Sequence, residues 1–182
     1  MIPQLVVLNG ASSAGKTTLC RKLQEVLTEP YIHLEEDRFV FNTYALRFIE
    51  SNMGAEIFRK TMLGYYRSLN AFLSAGHNVL ADTGFYSTEL LDTFVRELHG
   101  ECVWMVGVIC SLEELEQREG MRGDRQKGLA REQFETIHTL VLYDIQVDTS
   151  TNDVETCAQE IKAQIEGTRA PTALAEMWKR IE

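Results

Sequence analysis

The sequence predicts an α/β fold: a five-stranded parallel sheet covered by helices on both faces. Three observations predict it. Five short apolar runs, most rich in Val, Leu and Ile, alternate along the chain with stretches of helical periodicity. Most of these runs are nearly continuous rather than alternating, as strands buried on both faces are. Two of them end in acidic residues, and ligands of such sheets bind beyond the carboxyl ends of the strands.

Each element follows in order. Residues 4–9 (QLVVLN) form the first strand. Leu19, Leu23, Val26 and Leu27 repeat at helical spacing, and Pro30 stops that helix. Residues 31–37 read as a second strand ending in acids. Residues 39–48 are aromatic-rich and helical, with Asn52 and Gly54 as a break before a longer helix over 56–75. A third strand spans 77–82, and Ser87 caps a helix that runs to Leu98. The fourth strand, 102–110, is strongly apolar. Ser111 and Glu114 then form a capping box. The fifth strand, 143–149, is more polar and belongs near an edge. Val154, Cys157, Ala158, Ile161 and Ile165 give the next helix one apolar face, and a short amphipathic helix over about 172–181 closes the chain.

The 182 residues suit a single domain spanning 1–182, since no linker, repeat or low-complexity tract interrupts them. Hydrophobic residues make up 45% and charged residues 25%, ordinary values for a soluble protein. The net charge of -9 argues against nucleic acid as a general partner. No apolar run is long enough to span a bilayer, and no leader pattern precedes the first strand, so a cytoplasmic protein is expected. Cys20, Cys102, Cys110 and Cys157 form no close pair and fit reduced thiols. The oligomeric state stays open, with a homo-oligomer compatible.

Gly10, Ala11, Ser12, Ser13, Ala14, Gly15, Lys16 and Thr17 match G-x-x-x-x-G-K-[ST], with Thr18 next and a helix following. Bulky side chains would obstruct a loop whose backbone N–H groups converge on phosphate oxygens. The helix that follows turns its N-terminal amides toward the same anion. Lys16 supplies charge for the β- and γ-phosphates, and the Thr17 hydroxyl is a ligand for Mg²⁺. The motif predicts a P-loop that binds a nucleoside triphosphate such as ATP.

Asp37, at the second strand's end, faces that loop and is a candidate general base toward a substrate hydroxyl. The competing reading is a solvated acidic turn, since Glu35 and Glu36 adjoin it. Asp82 ends the third strand and is a candidate to hold Mg²⁺ through water, against the simpler reading of a turn residue before Gly84. Arg118, Arg122 and Arg125 are spaced to share a helix face, with Lys127 and Arg131 beyond. Their glycine-punctuated segment, about 118–131, reads as an arginine-rich lid over the phosphates, or else as a solvated basic face. Phe39, Phe41, Tyr44, Phe48, Phe85 and Tyr86 either line a substrate pocket or belong to the core. His33 and His138 read as structural.

The stretches LNGASSAGKTTL, RGDRQKGLAREQ and YDIQVDTS, with the Asp37 turn, resemble the chloramphenicol phosphotransferase-like family, in the family's order, from about Leu5 to Ile165. The resemblance implies an ATP-dependent kinase of a small-molecule hydroxyl, with Asp37 as general base and a five-stranded parallel core like that of nucleotide and shikimate kinases. It lapses from Phe39 to Tyr65, and Ala81 precedes Asp82 where the family tends to pair acids.

The function expected is therefore ATP-dependent phosphoryl transfer to a hydroxylated small molecule. ATP would lie on Gly10 to Thr18, with Lys16, Arg122 and Arg125 stabilising the transferring group and Arg118 assisting. A second reading is a nucleoside-monophosphate or shikimate-type kinase, with Arg38, Arg47 and Arg59 holding an anionic acceptor. A third, from another class, is a nucleotide-dependent ATPase switch. The absence of an N-K-x-D motif disfavours a GTPase.

Overall fold

The computed structural model describes residues 2–41, 52–121 and 128–182. Five strands, β1 (Gln4–Asn9), β2 (Tyr31–Glu35), β3 (Asn78–Thr83), β4 (Cys102–Ile109) and β5 (Ile145–Asp148), form one sheet in the order β2-β3-β1-β4-β5. Every neighbouring pair is parallel. β5 is an edge strand, as its polarity predicts. The order places β1 centrally, with β3 and β2 on one side of it and β4 and β5 on the other. A crevice forms at that switch point, beyond the carboxyl ends of the strands.

The helices are α1 (Lys16–Val26), α2 (Glu36–Phe41), α3 (Asn52–Ser74), α4 (Thr88–Leu98), α5 (Leu112–Met121), α6 (Leu129–Phe134), α7 (Val154–Ile165) and α8 (Ala173–Ile181). Alternate residues of β1 point to opposite faces, so the sheet serves two cores. Val6 and Leu8 pack with Leu19, Leu23, Cys157 and Ile161, beneath α1 and α7. Leu5 and Val7 pack with Tyr66, Leu69, Phe94 and Met177, beneath α3, α4 and α8. All four cysteines are free thiols. Among the described residues no helix is long and apolar enough to cross a membrane.

Some boundaries differ from expectation. β2 ends at Glu35, and Glu36 and Asp37 open α2 instead of closing the strand. The reason is that Glu36 is drawn inward by hydrogen bonds to the end of β3. Asn52 and Gly54 are no break but belong to the first turn of α3. The α4 cap is as expected: the Leu90 N–H donates to Ser87 Oγ at 3.3 Å. Ser111 caps α5 through the Glu114 N–H at 3.4 Å, but the Glu114 carboxylate accepts from Arg118, so the reciprocal half of the capping box is replaced by an ion pair.

Candidate active site

The loop between β1 and α1 owes its shape to two glycines and a strained serine. A Cβ on Gly10 would lie 2.5 Å from the Val108 carbonyl oxygen, so only glycine lets the chain leave β1 so close to β4. Gly15 has φ +90° and Ser13 φ +66°. The Ala14 N–H donates to the Ala11 carbonyl at 3.2 Å, closing the loop on itself. Lys16 opens α1 and turns back across the loop, its Nζ donating to the carbonyls of Gly10 (2.7 Å) and Ala11 (3.0 Å).

Three further elements grip the loop from outside. Gln133 on α6 accepts the Ser12 N–H through Oε1 at 2.7 Å. Thr149, just past β5, donates its hydroxyl to the Ala14 carbonyl at 2.9 Å. Arg118 on α5 donates to the Thr149 carbonyl at 2.8 Å and to Glu114 at 2.9 Å, and its Nη1 lies 3.7 Å from where a Cβ on Gly15 would sit. Arg118 is therefore tied to the frame beside the loop. Arg122, Arg125 and Lys127 lie outside the described residues, as do Tyr44, Arg47 and Phe48.

Asp82, near the end of β3, meets the loop at the first residues of α1. Its Oδ2 accepts the Thr17 hydroxyl hydrogen bond. Its Oδ1, buried and without a hydrogen bond, lies 3.4 Å from His33 Nε2. Burial pushes the Asp82 carboxyl up. The contacts with His33 and Thr17 and the charge of Lys16 outweigh that, leaving it below the usual aspartate value. His33, read from sequence as structural, thus stands directly behind a site carboxylate.

Asp37 lines the same cavity as Lys16, Thr17 and Asp82, a space of about 660 Å³. Phe41 and Tyr86 also line it and are exposed, whereas Phe85 is fully buried in the core and Phe39 packs edge-on against Tyr65 at 5.0 Å. The aromatic set therefore divides between pocket and core. Arg38 lines the cavity with its guanidinium 3.0 Å from Glu35, while Arg59 faces Glu56 and Glu89 at 3.8 and 3.7 Å and does not line it.

Residues that single-sequence reasoning passed over hold this arrangement. Glu36 is buried and accepts from the Thr83 hydroxyl and, at 2.9 Å, from the Gly84 N–H. Burial raises its carboxyl to about 7, against the opposing pull of Thr83 and Gly84. Glu119 is buried too, and its carboxylate accepts the Gly128 and Ala130 N–H groups at 2.7 and 2.8 Å, fixing the start of α6. Asn9 donates to Tyr143 Oη at 2.5 Å and accepts the Phe85 N–H at 3.0 Å, linking the ends of β1, β3 and the β5 approach. Gln133, Tyr143 and Thr149 all fall in two of the three stretches that carry the family resemblance, which was the one signal that pointed to their segments.

A parallel sheet of this order with such a loop at its switch point defines a P-loop kinase fold. Solved structures share it at low identity. The Mycobacterium tuberculosis APS kinase CysC, in complex with AMPPNP and APS, superposes with a TM-score of 0.70 at 15% identity, over 91% of this chain and 98% of that one. The Acinetobacter baumannii shikimate kinase in complex with shikimate gives 0.64 at 19%, over 91% and 93%. The Deinococcus radiodurans tunicamycin resistance protein gives 0.65 at 18%, over 93% and 99%. Relatives in Mycobacterium tuberculosis strains CDC 1551 and H37Rv, each named "Putative O-phosphotransferase", are 32% identical over 199 residues, covering 97% of this chain and 88% of theirs.

The family model described as "Chloramphenicol phosphotransferase-like protein" matches residues 3–166. The chain belongs to that family, and it is a phosphotransferase of the small-molecule kinase type.

Proposed function

We propose that the chain, acting as one domain over residues 1–182, transfers the γ-phosphate of ATP to a hydroxyl of a small molecule, with Asp37 as general base. The observation that carries this is the shared cavity: Asp37 lines the same space as Lys16, Thr17 and Asp82. The loop amides and Lys16 grip the phosphates, and Lys16 offsets negative charge on the transferring group. Its contacts with the Gly10 and Ala11 carbonyls keep the ammonium against the loop.

The site suits Mg²⁺. Thr17 and Asp82 offer a hydroxyl and a carboxylate side by side, and Asp82 Oδ1 is buried without a hydrogen-bond partner. Those two residues would hold the ion together with the nucleotide's phosphates, and the ion would neutralise developing phosphate charge. Asp37 would take the hydroxyl proton as the oxygen attacks.

The experiment is a screen of ATP consumption over hydroxylated small molecules with a no-acceptor control, followed by Asp37→Asn. Base removal costs about 10²–10⁴-fold in rate. Asp37→Asn is expected to lose turnover on that scale while its ATP affinity changes less than about threefold. Parallel loss of ATP binding would place Asp37 at the ion instead. Full turnover would make it an ordinary acidic turn.

A further inference from the structure

We infer that Glu36 is a positioning residue for this reaction: it fastens the turn carrying Asp37 to the end of the strand carrying Asp82. The inference rests on the proposed role of Asp37 as base.

Glu36 and Asp37 are the first two residues of α2. Successive helical residues point about 100° apart, so one can turn inward while the next faces the cavity. Glu36 Oε2 accepts from both the Thr83 hydroxyl and the Gly84 N–H. Thr83 follows Asp82, the carboxylate bonded to Thr17. One side chain therefore spans from the base turn to the β3 end that meets the P-loop.

The join needs such a tie. α2 has six residues, too few to hold its own place. β2 is an edge strand, paired with β3 alone. The neighbouring Tyr65 hydroxyl donates to the Leu34 carbonyl at 2.9 Å and lies 3.4 Å from that of Asp82, but it secures the strand, not the helix start. A carboxyl buried to 6% exposure is costly unless its hydrogen bonds are needed. Both bonds here go to the junction of β3 with the turn after it, one from Thr83 and one from Gly84. The Tyr86 ring occupies the space where a Gly84 side chain would stand.

Glu36→Ala, Glu36→Gln and Asp37→Asn test this in the full chain, on the acceptor returned by the ATP-consumption screen. Turnover, acceptor KM and ATP affinity are read for each. Glu36→Ala is expected to lower kcat about 10- to 100-fold, with ATP affinity within about threefold of wild type. In Glu36→Gln the amide oxygen accepts the same two bonds, and kcat returns to within about fivefold. Should Glu36→Ala fail to fold, Thr83→Val removes one donor and carries the same expectation of reduced kcat at retained ATP affinity. Unchanged kcat in Glu36→Ala, or in Thr83→Val where that stands in, overturns the inference. So does a Glu36→Gln loss as deep as that of Asp37→Asn, which would make Glu36 a reacting group. Failure of the base itself reads differently: Asp37→Asn then keeps full turnover.

Discussion

Gly10 and Gly15 are glycines for different reasons. Both are legible in the motif, and the motif alone explains neither. At Gly15 the constraint is conformational, since φ is +90° with no atom nearer than 3.7 Å to an added Cβ. At Gly10 it is steric, because the Val108 carbonyl oxygen would stand 2.5 Å from that carbon. Backbone on a central strand cannot move aside cheaply. Gly10→Ala is therefore expected to cost about 1–3 kcal/mol of stability by overpacking. It also displaces the carbonyl to which Lys16 donates, so ATP affinity falls with stability. Urea denaturation and an ATP titration check this together, and a variant matching wild type in both would remove the steric account. Asp37 and Asp82 were legible because each ended a recognisable apolar run. Glu36 was hidden beside Asp37, since nothing in "LEED" says which acid turns inward.

At the scale of elements, β1, α1, β3, α4 and β4 follow their local signals closely. Distant partners act at several of the element ends. β2 stops early because Glu36 is taken by Thr83 and Gly84. α8 starts at Ala173 without a cap from Thr172, because Asp144 accepts the Thr172 and Ala173 N–H groups at 2.7 and 3.0 Å. α6 is too short to place itself, and Glu119 holds its first turn. Its use is Gln133, whose oxygen fixes the Ser12 N–H within the P-loop. Losing such a bond is worth about 1 kcal/mol. Gln133→Ala is thus expected to weaken ATP binding about fivefold, and Gln133→Glu, which keeps an acceptor oxygen but sets a negative charge beside the phosphates, to weaken it further. Calorimetric titration with ATP distinguishes them. Equal affinity in Gln133→Ala and wild type would mean that the loop holds its shape without α6.

Over the whole molecule, two cores clamp one sheet, and the site lies along the carboxyl ends of its strands. Site groups therefore couple to global stability. Glu36 shows this with a definite sign. Its carboxyl titrates at about 7 when folded, against 4.5 in the free side chain, with burial the main cause. The folded state holds that proton more tightly. The associated stability is fully present below about pH 4.5 and is lost as pH rises through about 7. At 1.36 kcal/mol per pKa unit, wild type should lose roughly 2–3 kcal/mol relative to Glu36→Gln between pH 5 and 8. Urea denaturation of both proteins at the two pH values measures the difference. Parallel stabilities across that range would show that the carboxyl is not held protonated by burial.

Local chemistry along the chain was enough for the strand–helix alternation, the glycine-framed loop after β1 and the edge position of β5. Each depends on spacing between near neighbours: apolar runs, a glycine-framed loop, a cap, a polar strand. What only the tertiary structure decided is which side chains hold the site together. Glu36 reaches Thr83 across 47 residues, Gln133 reaches Ser12 across 121 and Thr149 reaches Ala14 across 135. A hydrogen bond selects its partner by proximity in space and direction. Residues this far apart become neighbours only once the parallel sheet has gathered the ends of its strands.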